Sequence, residues 1–458
     1  MKEDTSQKEL RPLSLYIHIP FCKAKCAYCD FLSFGGQSGE NRRQYIEALC
    51  KEITAYEEMA NEYCVKTIFF GGGTPSYIEL FLMEQLMDTI KEVFYIAEDA
   101  EITMEGNPDS LTMDKLSGYR KMGINRLSIG LQSADDEMLK TLGRVHTFDQ
   151  FLTAYENARK AGFTNINVDL MSGLPGEDKE TYLRTLDTVL NLCPEHISAY
   201  SLIVEDETPL AENDALLARL PSEEEDRELY TETGSRLLSK GYLRYEISNY
   251  AREGYACRHN MVYWTGGEYL GLGLGASSYL KVESGDGQQK KIRFHGVETM
   301  KEYMDRFATL SGMEKDAYTD LYEGYEMYDD YYGYTGYEYG EDMLADVYDG
   351  GVFKEDSDAG EMGEETVFLE FIRDYYKDLY FQKRKDEMEE FMFLGLRMIG
   401  GVSKTEFQKR FSTGIETIYG KVLEKYEKNG LLTEKGDRIS LTEKGIDVSN
   451  VVMAEFML

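Results

Sequence analysis

Cationic side chains are scarce in this 458-residue chain: 50 lysines and arginines stand against 84 aspartates and glutamates, a formal charge of −34. That deficit removes the broad basic footprint a phosphate backbone demands, so nucleic acid is not an expected partner. Nowhere do about 18 consecutive apolar residues occur, and Met1 to Arg11 has no apolar stretch of the kind a secretory signal needs. A cytoplasmic protein with at most peripheral membrane contact is expected, since an acidic surface gains nothing from anionic headgroups. Cysteine is sparse as well, seven in all, too few for a disulfide scaffold. Cys50, Cys64 and Cys193 have apolar neighbours in sequence and are expected to be small core residues. The 42% hydrophobic fraction still supports a large core, and the length suits one catalytic-size domain with a smaller appendage.

From Leu13 to about Ile247, short β-rich runs alternate with helical periodicity. The runs are Leu15 to Ile19, Thr67 to Phe70, Glu101 to Met104, Arg126 to Ile129, Asn165 to Leu170 and His196 to Leu202. The intervening segments, such as Arg42 to Glu62, Ile78 to Val93, Phe148 to Ala161 and Lys179 to Leu192, are long enough for crossover helices, so parallel strands are the economical solution. Six βα units predict an α/β fold, a partial, TIM-like (βα)6 barrel, with a doubly wound sheet as the rival. Either way, residues just after the strands converge on one rim.

A second region, Gly312 to Glu365, changes character: it holds 18 acids against two lysines, and nine of the 22 residues from Tyr318 to Tyr339 are tyrosine. Without helical or strand period it reads as an acidic insertion. The C-terminal part reads as helix (Met388 to Met398), helix (Lys404 to Phe411), helix (Ile415 to Asn429) and a hairpin around Gly436-Asp437. That order predicts a winged-helix-like α+β unit. Its nine basic and eight acidic residues between Lys404 and Asp447 leave no DNA-recognition stripe, which favours a docking or lid role. The expected division is a tail at 1–12, a core with its extension at 13–311, the insertion and linker at 312–385, and the terminal unit at 386–458.

Chemistry concentrates in Cys22-Lys-Ala-Lys-Cys26-Ala-Tyr28-Cys29, a C-x3-C-x2-C run directly after the first strand. Structural zinc usually takes four protein ligands in two separated pairs, and no second pair lies nearby. Three thiolates suit an iron–sulfur cluster with one iron left for an exogenous chelator. Further along come Gly71-Gly72-Gly73-Thr74-Pro75, Glu105-Gly-Asn107-Pro108, Ser128-Ile-Gly130-Leu-Gln132, Arg144 with His146, and Asp169 to Gly176, all at strand ends. Glycines allow close backbone approach, Thr74 adds a hydroxyl, Glu105 and Asp169 can face hydroxyls or a cation, and Arg144 can grip a carboxylate.

This set resembles the radical S-adenosylmethionine (SAM) superfamily, specifically its coproporphyrinogen-oxidase-like branch, over about Leu13 to Tyr279 and again in the C-terminal unit. The resemblance implies a 4Fe-4S cluster on Cys22, Cys26 and Cys29, with the open iron chelated by SAM and the cleaved SAM yielding a deoxyadenosyl radical. It further implies SAM contacts from Tyr16, Tyr28, Gly73, Thr74, Glu105, Gln132, Arg144, Asp169, Ile203 and Ala276.

Within that branch the dehydrogenases carry one more cysteine two residues after the third; here the position is Phe31. Cys257-Arg-His259-Asn-Met-Val-Tyr263-Trp264 matches the H-N-x-x-Y-W pattern of HemW-type haem chaperones. Cys22 also lies closer to the N-terminus than the dehydrogenases' longer extension would place it. The resemblance therefore implies haem as cargo and acceptor apo-haemoproteins, such as respiratory ones, as partners. It makes His259, Cys257, Tyr263 and Trp264 haem-binding candidates, His259 by virtue of the imidazole's affinity for haem iron. A buried His-Asn pair with core aromatics is the structural alternative for the same motif. Oxygen-independent coproporphyrinogen III dehydrogenase is the competing activity and is disfavoured. SAM cleavage and a homodimer stay open.

Overall fold

The computed structural model describes residues 10–283, 289–308 and 367–457. Six strands, β1 (Arg11–Ile19), β2 (Tyr63–Gly72), β3 (Ile96–Gly106), β4 (Arg126–Gln132), β5 (Ile166–Ser172) and β6 (His196–Ser201), pair in parallel and in sequence order. Crossovers include α1 (Gly39–Thr54), α2 (Leu80–Val93), α3 (Met113–Met122), α4 (Phe148–Lys160) and α5 (Lys179–Leu192). Several start at side-chain caps that satisfy first-turn N–H groups: Ser38 for α1, Thr112 for α3, Thr147 with Gln150 for α4 and Asp178 for α5. Strand alternation sends Leu13, Leu15, Ile17 and Ile19 of β1 into the core, and all of β4 is buried because the sheet is covered on both faces. The radical SAM fold expected from the sequence is present as an open, parallel-centred barrel.

The sheet runs on beyond these units. After helix α6 (Glu223–Ser239), the short strands β7 (Leu243–Arg244) and β8 (Asn249–Ala251) extend it antiparallel beside β6, and helix α7 (Arg258–Thr265) follows them. On the other side β9 (Tyr269–Leu272) pairs parallel with β1, followed antiparallel by β10 (Ser277–Glu283), β11 (Gln289–His295) and β12 (Lys377–Phe381). The twelve strands lie in the order β12-β11-β10-β9-β1-β2-β3-β4-β5-β6-β8-β7.

Two expectations need correction. Residues 312–385 do not all belong to an insertion and linker: α9 (Val367–Tyr375), which follows α8 (Met300–Ala308), and β12 are part of the main domain. Leu369 and Ile372 recur at helical spacing and bury in the main core, and Tyr376 follows them. The acidic, tyrosine-rich stretch itself lies outside the described residues. Cys193 is exposed, not core, because it ends α5 in the left-handed conformation (φ 55°) with its N–H bonded to Leu190. Cys50 and Cys64 are buried as expected.

Helices α10 (Arg384–Gly395), α11 (Lys404–Phe411) and α12 (Ile415–Lys428) and the sheet of β13 (Val402–Ser403), β14 (Leu432–Lys435) and β15 (Arg438–Leu441) have their own apolar core, including Met392, Phe407, Ile415, Tyr419 and Ile439. This unit is tied to the barrel by Lys291–Glu387 and Arg293–Glu390 ion pairs and by the Ile399 N–H donating to the Tyr245 carbonyl at 3.1 Å. Among the described residues no helix is long and apolar enough to cross a membrane.

One buried acid joins distant parts of the main domain. Glu52 of α1, fully enclosed, accepts from the hydroxyls of Tyr303 on α8 and Tyr376 after α9, and from the Gly273 N–H at 2.8 Å. Burial raises its carboxyl from 4.5 to about 7, against the pull of these donors. Glu52→Ala should therefore cost about 4 kcal/mol in chemical denaturation, because three donors lose their acceptor. An acid raised in the folded state stabilises most when protonated, so wild-type stability relative to Glu52→Gln should fall as pH rises through 7.

Candidate cofactor cavity at the strand ends

The loop after β1 is fastened on three sides. A two-residue parallel pairing of Phe21–Cys22 with Phe34–Gly35 closes it on itself, the Ala27 N–H donates to the Leu142 carbonyl at 3.0 Å, and the Ala27 carbonyl accepts from the Leu210 N–H at 2.8 Å. Against its start lies the glycine run after β2: the Gly73 N–H donates to the Ile19 carbonyl (2.9 Å) and the Thr74 N–H to the Phe21 carbonyl (2.8 Å). A Cβ on Gly73 would come within 2.8 Å of the Phe21 carbonyl oxygen and 3.0 Å of the Cys22 sulfur, so only glycine permits this approach.

Together the strand ends enclose a cavity of about 410 Å³. Cys22, Cys26 and Cys29 line it with Tyr28, Gly73, Thr74, Glu105, Gln132, Arg144 and Asp169, so most residues expected around the cluster and SAM are brought together. Three are not. Tyr16 lies deeper in the barrel, its hydroxyl against His18 Nδ1 at 3.1 Å and its ring on Phe69. Ala276 is buried in the turn between β9 and β10, and Ile203 points outward, 67% exposed. For Tyr16 the reason is its position three residues before the end of β1, below the rim. Lys25 and Met171, which lie within the motif runs but were not singled out, and Tyr200 and Glu205, which no motif marked, also line the cavity. Tyr200 could have been found by its place, next to last in β6.

The polar groups are arranged around unsatisfied demands. Burial raises the thiols of Cys22 and Cys29 above their ordinary values, with the neighbouring Cys26 charge adding to it, and hydrogen bonds such as that from Thr74 to Cys22 only partly offset this. Bound cations would release those protons. Arg144 donates from Nη2 to Asn107 Oδ1 and to the Gly130 carbonyl, both at 2.6 Å, and from Nη1 to the Cys26 sulfur at 3.4 Å, while its Nε is buried without a partner. Among the described residues no three His, Cys, Asp or Glu side chains converge on one ion. Three thiols and no fourth Cys or His among the described residues line this cavity, a donor set that fits a polynuclear cluster with one thiolate per iron better than a four-ligand zinc ion.

Across the cavity, burial and then the charge of Asp169 raise Glu105 from 4.5 to about 8. Asp169 is itself raised by burial, although Asn167 Nδ2 (2.7 Å) and Ser128 Oγ (3.3 Å) donate to it. Two enclosed carboxyls without an ion-paired base form a receptor for a cation.

The haem candidates lie elsewhere. Cys257 and His259 are buried, and the Glu101 carboxylate accepts from the Arg258 and His259 N–H groups at the start of α7. Both ring nitrogens of His259 are engaged, Nδ1 with Thr67 Oγ1 and Nε2 with the Tyr263 hydroxyl, each at 2.8 Å, and the ring stacks on Phe69. Ligation of iron by this imidazole would require giving up one of those bonds; of the structural alternative only the buried histidine is seen, since Asn260, Tyr263 and Trp264 are half-buried and the imidazole bonds side chains. Trp264 packs under the Arg397 guanidinium at 4.3 Å, facing the C-terminal unit.

The Radical SAM superfamily model matches residues 16–189 and the HemN C-terminal domain model matches residues 382–448. "Heme chaperone HemW" of Bacillus subtilis (strain 168) is 32% identical over 448 residues, spanning 97% of this chain and 99% of that protein. Its namesake in Lactococcus lactis subsp. lactis (strain IL1403) is 30% identical over 98% of both chains, and that of Escherichia coli (strain K12) is 39% identical over 61% of this chain and 73% of its own. Among solved structures, the coproporphyrinogen III oxidase HemN from Escherichia coli superposes with a TM-score of 0.73, over 98% of this chain and 90% of its own, at 22% identity, which establishes a common fold.

Gly73→Ala should push the loop after β1 out of place and lower iron bound after anaerobic reconstitution at least fivefold, with the far-ultraviolet circular dichroism unchanged. His259→Ala, which takes the imidazole partner from the Thr67 and Tyr263 hydroxyls and leaves a cavity against Phe69, should instead lower stability by about 3 kcal/mol in urea.

Proposed function

Because the chain belongs to the HemW family of radical SAM haem chaperones, we propose that it binds haem and passes it to acceptor apo-haemoproteins. The observation that carries this reading is the extent of the likeness: it runs through barrel and C-terminal unit alike, over nearly the whole of both chains. The cavity supports the family's cofactors. Cys22, Cys26 and Cys29 would hold the 4Fe-4S cluster, and the close approach of Gly73 and Thr74 keeps the first cysteine loop in place. Arg144, fixed by Asn107 and Gly130, would set the charge beside Cys26 and orient a carboxylate. Glu105 and Asp169 would receive the cationic part of SAM. When bound, cluster and SAM supply one-electron chemistry at this rim. Phe31 stands where the dehydrogenases have their additional cysteine, and it is largely exposed at the cavity.

The test is anaerobic and has two arms. Reconstituted protein should bind hemin with a shifted Soret band and lose it to an apo-b-type haemoprotein, and it should leave coproporphyrinogen III unchanged in the presence of SAM and reductant. Repeated turnover to protoporphyrinogen IX, detected by mass spectrometry, would overturn the chaperone reading.

Charge in the cavity generates a separate expectation. With Glu105 protonated up to about pH 8, a cationic ligand binds only as that proton leaves, so affinity rises with pH until the carboxyl is ionised. The dissociation constant of SAM measured by equilibrium dialysis should fall several-fold more between pH 6.5 and 8.5 in wild type than in Glu105→Gln.

A further inference from the structure

The residues that suggested a haem ligand are closed to haem: Cys257 and His259 are 0% and 1% exposed, and α7 would have to leave the barrel to admit a macrocycle. The mouth of the cofactor cavity has the opposite character. Phe31 is 70% exposed, Ile203 67% and Tyr200 40%, while most other large apolar side chains among the described residues are buried. Phe31 and Tyr200 line the cavity with Met171, and Ile203 lies on the loop between the lining residues Tyr200 and Glu205. These side chains come from the cysteine loop after β1 and from the ends of β5 and β6; the Leu210–Ala27 hydrogen bond joins the cysteine loop to the segment after β6. An apolar, partly aromatic rim above a polar cavity is suited to a flat hydrophobic ring.

Charge selects the orientation. Lys25 lines the mouth and Lys23 stands two residues earlier, its ammonium 3.7 Å from Asp109 and its side chain 62% exposed. Asp30 and Glu205 line the same mouth and would repel an anionic edge, so the arc near the two lysines is where propionates are tolerated. We propose that haem is carried across the mouth of the cofactor cavity, its macrocycle on Phe31, Met171, Tyr200 and Ile203 and its propionate edge toward Lys23 and Lys25. This rests on the haem-chaperone reading and departs from the H-N-x-x-Y-W motif as the haem ligand.

Two consequences follow from the geometry. None of the five histidines lines this cavity: His18, His146, His196 and His259 are buried, and His295 on β11 is bonded to Ser277 and Glu298. Haem at the mouth therefore lacks a protein imidazole. It also covers the way out for a molecule bound below, so haem and SAM are coupled through access: bound haem slows SAM release without displacing it.

The experiment is hemin titration of the full-length, cluster-reconstituted protein, followed by Soret absorbance and low-temperature electron paramagnetic resonance, on wild type, Phe31→Glu/Ile203→Glu, Lys23→Glu/Lys25→Glu and His259→Gln. The exposed positions of the first pair make misfolding an avoidable complication, and unchanged iron–sulfur absorbance verifies it. The proposal expects each mouth pair to weaken hemin binding at least tenfold, a spectrum without imidazole ligation, and wild-type-like affinity in folded His259→Gln. It also expects the release of radiolabelled SAM from wild type to slow at least threefold with hemin present. Wild-type affinity in both mouth variants, or an imidazole spectrum abolished by His259→Gln, would overturn this placement while leaving the chaperone reading intact. Failure of wild type to bind hemin at all would overturn both.

Discussion

Parallel pairing of six consecutive strands is the constraint on which this structure depends. A parallel neighbour can be reached only by a crossover, so each strand must be followed by a segment that carries the chain back outside the sheet. All six strands then end at the same rim, and residues separated by well over a hundred positions, such as Cys26 and Arg144, become neighbours there. The close approach at Gly73 and the three attachments of the cysteine loop convert that convergence into a cavity of fixed shape.

The interior beneath the rim is polar, and that has its own cost. Thr67, Ser128, Asn167, His196, Ser198 and His259 are all buried, and each is held in a hydrogen bond. An unpaired group in such surroundings would lose its hydration without compensation, which explains why His259 and Tyr263 are locked to one another and to β2. The H-N-x-x-Y-W helix thus closes the barrel with its histidine and meets the C-terminal unit with its tryptophan. At the rim, by contrast, Arg144 Nε is buried without a partner, and Glu105 and Asp169 are enclosed carboxyls that burial raises above their ordinary values. Hydrogen-bonded groups below and enclosed ionisable groups above separate framework from binding surface.

Much of this was legible beforehand because it is local. The helix at Lys179–Leu192 and that at Lys404–Phe411 coincide with their sequence periodicity, and the hairpin around Gly436 lies where its turn residues put it. Departures have tertiary causes. Val367–Tyr375 fell in the span expected to be insertion and linker, yet its apolar face finds the main core and Tyr376 reaches Glu52 on the first helix, more than three hundred residues away. Cys193, with apolar neighbours in sequence, is exposed because it ends a helix. Tyr16 belongs to the right strand but sits below the rim, and Ala276 is held in the turn between β9 and β10, distinctions that depend on strand register and on where each strand ends.

By itself the sequence determined the chemistry available: three closely spaced thiols after a strand, a glycine run that admits close backbone approach, and acidic and basic groups at successive strand ends. Those follow from residue identity and short-range spacing, which no fold can alter. Tertiary structure decided which groups are accessible. It left Phe31 and Ile203 exposed, set Tyr200 in the cavity wall and closed His259 and Cys257 away, because burial is a property of packing between distant segments and has no signature in the motif that carries the residues.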